Sequence, residues 1–278
     1  MKIYRTYEGL LVEHEGQHYL KRQQDWDQVI NQDYLYDQIV QQLSESEKTD
    51  NSDTLLQGEL LPPLGTQEIW ASGVTYYRSR DARMEESKSA GGGSFYDRVY
   101  VADRPELFFK APHYRAVGHG AEVRIRRDSN WNVPEPEMTL FITSTGKIAG
   151  YTLGNDMSSR SIEGENPLYL PQAKSYNGST AIGPCLYVAK EPLPLETGIS
   201  IQIKRDGKVV FEDNTEIKQM KRTFADLVEY LFRECDFPQG VYLMTGTGII
   251  PGNDFSLQSG DEISITSAPI GTLTNTVA

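Results

Sequence analysis

Apolar and polar residues alternate over Ile199-Ser200-Ile201-Gln202-Ile203, lead into Asp206-Gly207, and give way to Val209-Val210-Phe211. Period-two alternation beside an Asp-Gly pair predicts a β-hairpin, because that pair accepts the left-handed backbone of a tight turn. Apolar runs bounded by turn residues predict further strands over 107–111, 137–143, 147–152, 182–189, 242–246 and 262–267. One stretch follows the helical period instead: Phe224, Leu227, Val228, Leu231 and Phe232 make a single stripe over 224–233. Thr223 is its predicted N-cap, with Asp226 three positions on as capping-box partner.

The first 40 residues predict short strands and a turn, then a helical stretch at 34–40. Residues 44–53 hold no apolar side chain and read as a surface loop or linker. Leu61-Pro62-Pro63-Leu64-Gly65 then makes a stiff lead-in. We therefore divide the chain into a small N-terminal domain, 1–60, and a main domain, 61–278. The whole is mostly β, of the α+β class. Residues 77–96 stand apart: a charged helical pattern containing Arg78 and Arg83 precedes Gly91-Gly92-Gly93. That pattern fits a mobile lid on a glycine hinge, or an exposed helix followed by a loop.

With 38% hydrophobic and 24% charged residues among 278, the composition is that of a folded soluble protein able to bury a sizeable core. No run approaches the ~18 to 20 apolar residues of a membrane helix, and Met1-Lys2-Ile3-Tyr4-Arg5 opens no signal-peptide apolar run. A cytoplasmic location is the expectation. Cys185 and Cys235 form no C-x-x-C pair and read as reduced thiols. The formal charge of −12 opposes nucleic acid and anionic lipid, and the one basic run, Arg124 to Arg127, is answered by Asp128. An acidic protein with an anionic substrate must recruit cations locally, through a divalent metal and a few arginines.

Candidate chemistry is concentrated in a few positions. Glu135 and Glu137, two apart at a strand start and flanked by Pro134 and Pro136, point to one face and can converge on a cation or decorate a solvated strand. Asp156 ends an apolar strand, as a third ligand or as part of an Asn-Asp turn. Three carboxylates without a His/Cys cluster favour a hard cation, Mg²⁺ or else Mn²⁺ or Ca²⁺, over zinc. Lys174 is a surface lysine or, beside such a cation, a proton-exchanging group. Glu106 sits at the mouth of an apolar strand. Thr245-Gly246-Thr247-Gly248 can offer N–H and hydroxyl groups to a carboxylate, and no helix follows to make it a dinucleotide loop. His14, His18, His113 and His119 form no ligand or triad pattern, and no Gly-x-Ser-x-Gly elbow occurs.

Taken together, Phe108-Phe109-Lys110, Pro134-Glu135-Pro136-Glu137-Met138, Gly150 to Ser158, Lys174 ahead of Gly183-Pro184, and Thr245-Gly246-Thr247 resemble the fumarylacetoacetate hydrolase family in order and spacing, over about residues 68 to 278. The resemblance implies a β-sandwich roll, a homodimer, and Mg²⁺ held by Glu135, Glu137 and Asp156, with Lys174 as the family's lysine. Hydrolases and decarboxylases of that family carry a His-Glu dyad on the lid helix; 76–86 has no histidine. Within the family the chain looks most like the branch that dehydrates 2-keto-3-deoxy-pentonates, whose Ser-Gly-Val-Thr-Tyr matches Ser72 to Tyr76 and whose acid/base glutamate matches Glu106. Ser72, Arg78, Arg83 and Thr247 are then the expected contacts of a small 2-oxo sugar acid. Which of Lys174 and Glu106 is base and which acid stays open. The competing readings are a hydrolase or decarboxylase of a β-diketo or 2-oxo diacid, and a sugar-acid binding protein without turnover.

Overall fold

In the computed structural model, residues 1–44, 46–78 and 100–278 are described. Arg83, Gly91-Gly92-Gly93 and all of the expected lid except Tyr77 and Arg78 lie outside the described residues. The expected hairpin forms from Gly198–Arg205 and Lys208–Glu216, with Asp206 and Gly207 both at positive φ, 51° and 75°. Ile199, Ile201 and Ile203 turn inward, as their alternation requires. Together with Glu262–Ser267, Gly271–Val277 and Glu122–Val123 this hairpin makes a five-stranded sheet.

That sheet packs against a larger one. Its centre runs Thr180–Tyr187, Ile148–Asp156, Pro136–Ile142, Val241–Met244, Glu68–Gly73, Glu106–Ala111. On the far side Lys2–Thr6 pairs antiparallel with Thr180–Tyr187, so the N-terminal strands continue the same sheet. Between the two sheets lies an apolar core that includes Met138, Leu140, Leu153, Ile201, Ile265 and Leu273. The other face of the large sheet is covered by Trp26–Ile30 and Leu35–Leu43, whose Trp26, Ile30, Leu35 and Ile39 pack against Ile3, Val12, Phe141 and Tyr242. The layers are thus helix, large sheet and small sheet: a mostly-β roll.

The predicted helix spans Phe224–Leu231 and has both halves of its capping box: Asp226 N–H donates to Thr223 Oγ1 at 3.1 Å, and Thr223 N–H to Asp226 Oδ2 at 3.2 Å. Two expectations need correction. The 44–53 stretch is not loop throughout: Glu47–Lys48 adds a short strand beside Tyr19 and Leu20, and a helix, Ser52–Gln57, begins in it. Backbone pairing needs no apolar side chain, so the composition did not betray it. The strands Glu68–Gly73 and Gly271–Val277 escape the periodicity reading as well. In the latter Asn275 takes a buried position by donating to the Gly118 and Ala121 carbonyls, which breaks the apolar alternation. We propose residues 1–60 as a small appended unit that extends the main sheet.

Candidate active site

Strand register assembles the acidic cluster. Pro136–Ile142 runs antiparallel to Ile148–Asp156, with Glu137 opposite Gly154, and the Asp156 N–H donates to the Glu135 carbonyl at 3.0 Å. Residues two apart share a face, and so do cross-strand partners, which sends Glu135, Glu137 and Asp156 the same way. Each is at least 96% buried, and one oxygen from each lies within 4.8 Å of the others.

Lys174, at the end of the helix Leu170–Lys174, reaches into this cluster. Its Nζ donates to Glu135 Oε2 at 2.6 Å, Asp156 Oδ2 at 2.9 Å and Ser158 Oγ at 2.6 Å. Around these groups the remaining carboxylate oxygens are held from other elements. Arg160 Nη2 lies 2.8 Å from Glu135 Oε1, and the same guanidinium meets Glu163. The Gly246 N–H donates to Glu137 Oε2. Gly246 sits at φ 91°, where a Cβ would fall 2.0 Å from Thr75 Oγ1, so only glycine can bring its amide this close. Lys110 Nζ lies 2.5 Å from Asp156 Oδ1 and also donates to the Met157 and Lys174 carbonyls.

Seven charged side chains are therefore buried together: Lys110, Arg160 and Lys174 against Glu135, Glu137, Asp156 and Glu163. The carboxylates are in excess. Burial, followed by the neighbouring Asp156 and Glu135 charges, holds the Glu137 carboxyl well above its ordinary range. Burial also pushes the Lys110 ammonium down, against the pull of Asp156. Three acceptors surround its Nζ, and only an ammonium has three N–H groups to satisfy them. An oxygen-only donor set with a surplus of negative charge fits a hard divalent cation. Glu135, Glu137 and Asp156 are the residues that could hold it.

The cavity above is lined by Ser72, Gly73, Val74, Phe108, Glu135, Asp156, Arg160, Lys174, Gly246, Thr247 and Ile250. Ser72 and Thr247 are thus at the wall, the former donating to the Met244 carbonyl at 3.0 Å. Val74 stands at φ 53°, a strained conformation for a β-branched residue and one that recurs at ligand-binding walls. Glu106 is half-buried at the start of its strand, and its carboxylate packs over Gly73; a Cβ there would meet Glu106 Oε2 at 2.3 Å. Arg78 is placed elsewhere, exposed and 2.6 Å from Asp213 of the hairpin. Sequence reasoning assigned no role to Lys110, Arg160 or Glu163. The available signal was a lysine inside the apolar run Leu107 to Ala111, a position where a charge survives only if paired.

A buried carboxylate-lysine cluster at the end of a β-roll strand pair defines a metal-chelating, acid/base type of enzyme site. The profile described as fumarylacetoacetate (FAA) hydrolase C-terminal matches residues 69–278. The chain belongs to the fumarylacetoacetate hydrolase family. It is 48% identical over 216 residues to the "probable 2-keto-3-deoxyxylonate dehydratase" of Haloferax volcanii, covering 77% of this chain and 73% of that one. To the 2-dehydro-3-deoxy-D-arabinonate dehydratase of Saccharolobus solfataricus it is 43% identical over 213 residues, 76% and 72% of the two chains. The solved structure of 2-keto-3-deoxy-D-arabinonate dehydratase complexed with magnesium and 2,5-dioxopentanoate superposes with a TM-score of 0.84 at 32% identity, over 100% of this chain and 98% of that one. Among the described residues no helix is long and apolar enough to cross a membrane.

Proposed function

We propose that this chain is a Mg²⁺-dependent dehydratase of 2-keto-3-deoxy-pentonates, yielding 2-oxoglutarate semialdehyde (2,5-dioxopentanoate), with Glu135, Glu137 and Asp156 as metal ligands. The observation that carries the reading is the convergence of these three carboxylates with Lys174 in one buried cavity. Relatives at 48% and 43% identity are dehydratases of such acids, and a close structural neighbour holds magnesium with 2,5-dioxopentanoate. Held by these three carboxylates, Mg²⁺ would supply a Lewis acid that draws electron density away from C3 of a 2-oxo acid.

The chain's own residues do the rest. Lys174 Nζ holds Glu135 and Asp156 as an ammonium; a cation on those carboxylates would displace it and favour the neutral amine, the form that takes the proton from C3. Glu106, whose carboxylate packs against the lining residue Gly73 from outside the cavity lining, gives a proton to the C4 hydroxyl as it leaves as water. Loss of water leaves a C3=C4 enone with the C5 hydroxyl; a proton leaves C5 and one is returned to C3, and the C4=C5 enol so formed tautomerises to the aldehyde. Ser72 and Thr247, with Arg83 from beyond the described residues, contact the sugar acid. Arg78 belongs to this set only if it leaves Asp213. We further propose a cytoplasmic homodimer, supported by the family resemblance.

Incubation with 2-keto-3-deoxy-pentonates and Mg²⁺, with semialdehyde oxidation by an added dehydrogenase as readout, tests the reaction. Lys174→Met is expected to stop both dehydration and solvent deuterium exchange at C3, a loss of about 10²- to 10⁴-fold. Glu106→Gln is expected to block dehydration while some C3 exchange persists. A parent enzyme that cleaves a β-diketone and ignores these sugar acids would show the dehydratase reading to be wrong.

A further inference from the structure

The three proposed metal ligands share a feature that goes beyond their being acidic: each has one oxygen committed to a donor other than Lys174, whose Nζ sits on the remaining Glu135 Oε2 and Asp156 Oδ2, the oxygens that would pass to a cation. Arg160 holds Glu135 Oε1, the Gly246 amide holds Glu137 Oε2, and Lys110 holds Asp156 Oδ1. A carboxylate that chelates a cation through both oxygens must release such a donor. Mg²⁺ takes six ligands at about 2.0–2.1 Å in near-octahedral geometry, whereas Ca²⁺ accepts 6–8 and readily uses a carboxylate through both oxygens. One oxygen from each of three carboxylates leaves room in an octahedron for a chelating substrate and a water.

We propose that Lys110 is a positioning residue that restricts Asp156 to one-oxygen coordination and so tilts the site toward Mg²⁺ and against Ca²⁺. The inference rests on the metal-site reading above. Lys110 is the fastener best suited to this task. It is fully buried, and its Nζ makes contacts with Asp156 and with two backbone carbonyls, those of Met157 and Lys174. With its three N–H groups committed, the ammonium cannot swing aside to free Asp156 Oδ1. Those carbonyls belong to the residue after Asp156 and to Lys174 itself, so the same side chain ties the metal-ligand strand to the helix that carries the lysine.

The test is titration of the protein with Mg²⁺ alone and Ca²⁺ alone by calorimetry, for the parent and for Lys110→Met, without substrate. The parent is expected to hold Mg²⁺ at least as tightly as Ca²⁺, and Lys110→Met to shift the affinity ratio toward Ca²⁺ by about tenfold or more. A merely structural lysine would lower both affinities in parallel and leave the ratio alone, which overturns the proposal. Should Lys110→Met not fold, the parent still decides: tighter binding of Ca²⁺ than of Mg²⁺ overturns the assignment. A parent that binds neither ion instead removes the metal-site reading, and this inference with it.

Discussion

The strand Pro136–Ile142 is buried along its whole length, yet its two faces live by different rules. Met138, Leu140 and Ile142 enter the apolar core between the sheets. Glu137 faces the opposite way, into a cluster of seven buried charges. On the apolar side, removal from water is itself favourable, at roughly 25 cal/mol per Å². Across the backbone, burial is a cost that is offset only by pairing, and an unpartnered charge there would cost several kcal/mol. One face therefore holds the fold together along its whole length; on the other, Phe141 still packs beneath the helices, and only the Glu137 end draws on that stability to keep an uneven set of charges dry and ready for a cation.

The sharpest way to break this contrast is Glu137→Gln. It should reduce turnover by about 10³-fold and weaken Mg²⁺ binding, while far-UV circular dichroism stays that of the parent. The melting-temperature rise that saturating Mg²⁺ gives the parent should shrink in this variant, because a ligand stabilises only the state that binds it. Full activity of Glu137→Gln in EDTA would remove the site assignment.

Leu140→Ala makes the opposite cut. Leu140 is fully buried in the inter-sheet core, so its truncation should cost about 2–5 kcal/mol in chemical denaturation. Turnover per folded molecule should change little. If kcat falls as far as it does for Glu137→Gln, the two faces are not separable and the comparison fails.

The smallest effect expected is at His119, where the sheets meet. Its Nδ1 accepts the Thr274 N–H at 3.1 Å, and burial lowers its pKa from 6.5. A lowered histidine favours the folded state above its unfolded pKa, and this contribution is lost as pH falls below about 6.5. His119→Gln should flatten the stability slope between pH 7 and 5. An unchanged slope in urea melts would exclude the residue as its source.

Periodicity made the hairpin of the small sheet legible, because Ile199, Ile201 and Ile203 obey the simple rule that one face is apolar, but not the strand Gly271–Val277 of the same sheet. The Thr223–Asp226 box was equally plain, since capping is settled within four residues of chain. The carboxylates Glu135, Glu137 and Asp156 were legible as residue types at suggestive spacings, and resemblance to a family joined them. Nothing local in the chain shows that Lys110 and Asp156, 46 positions apart, end 2.5 Å from each other. Nor does it show that Arg78 turns to Asp213, or that a glycine at 246 aims its amide at Glu137. Local patterns fix which elements form and which faces are apolar, because propensity and capping act over a few residues. The pairing of buried charges is decided by strand register and layer packing, because the cost of an unpaired ion is felt only once the tertiary fold has removed the water.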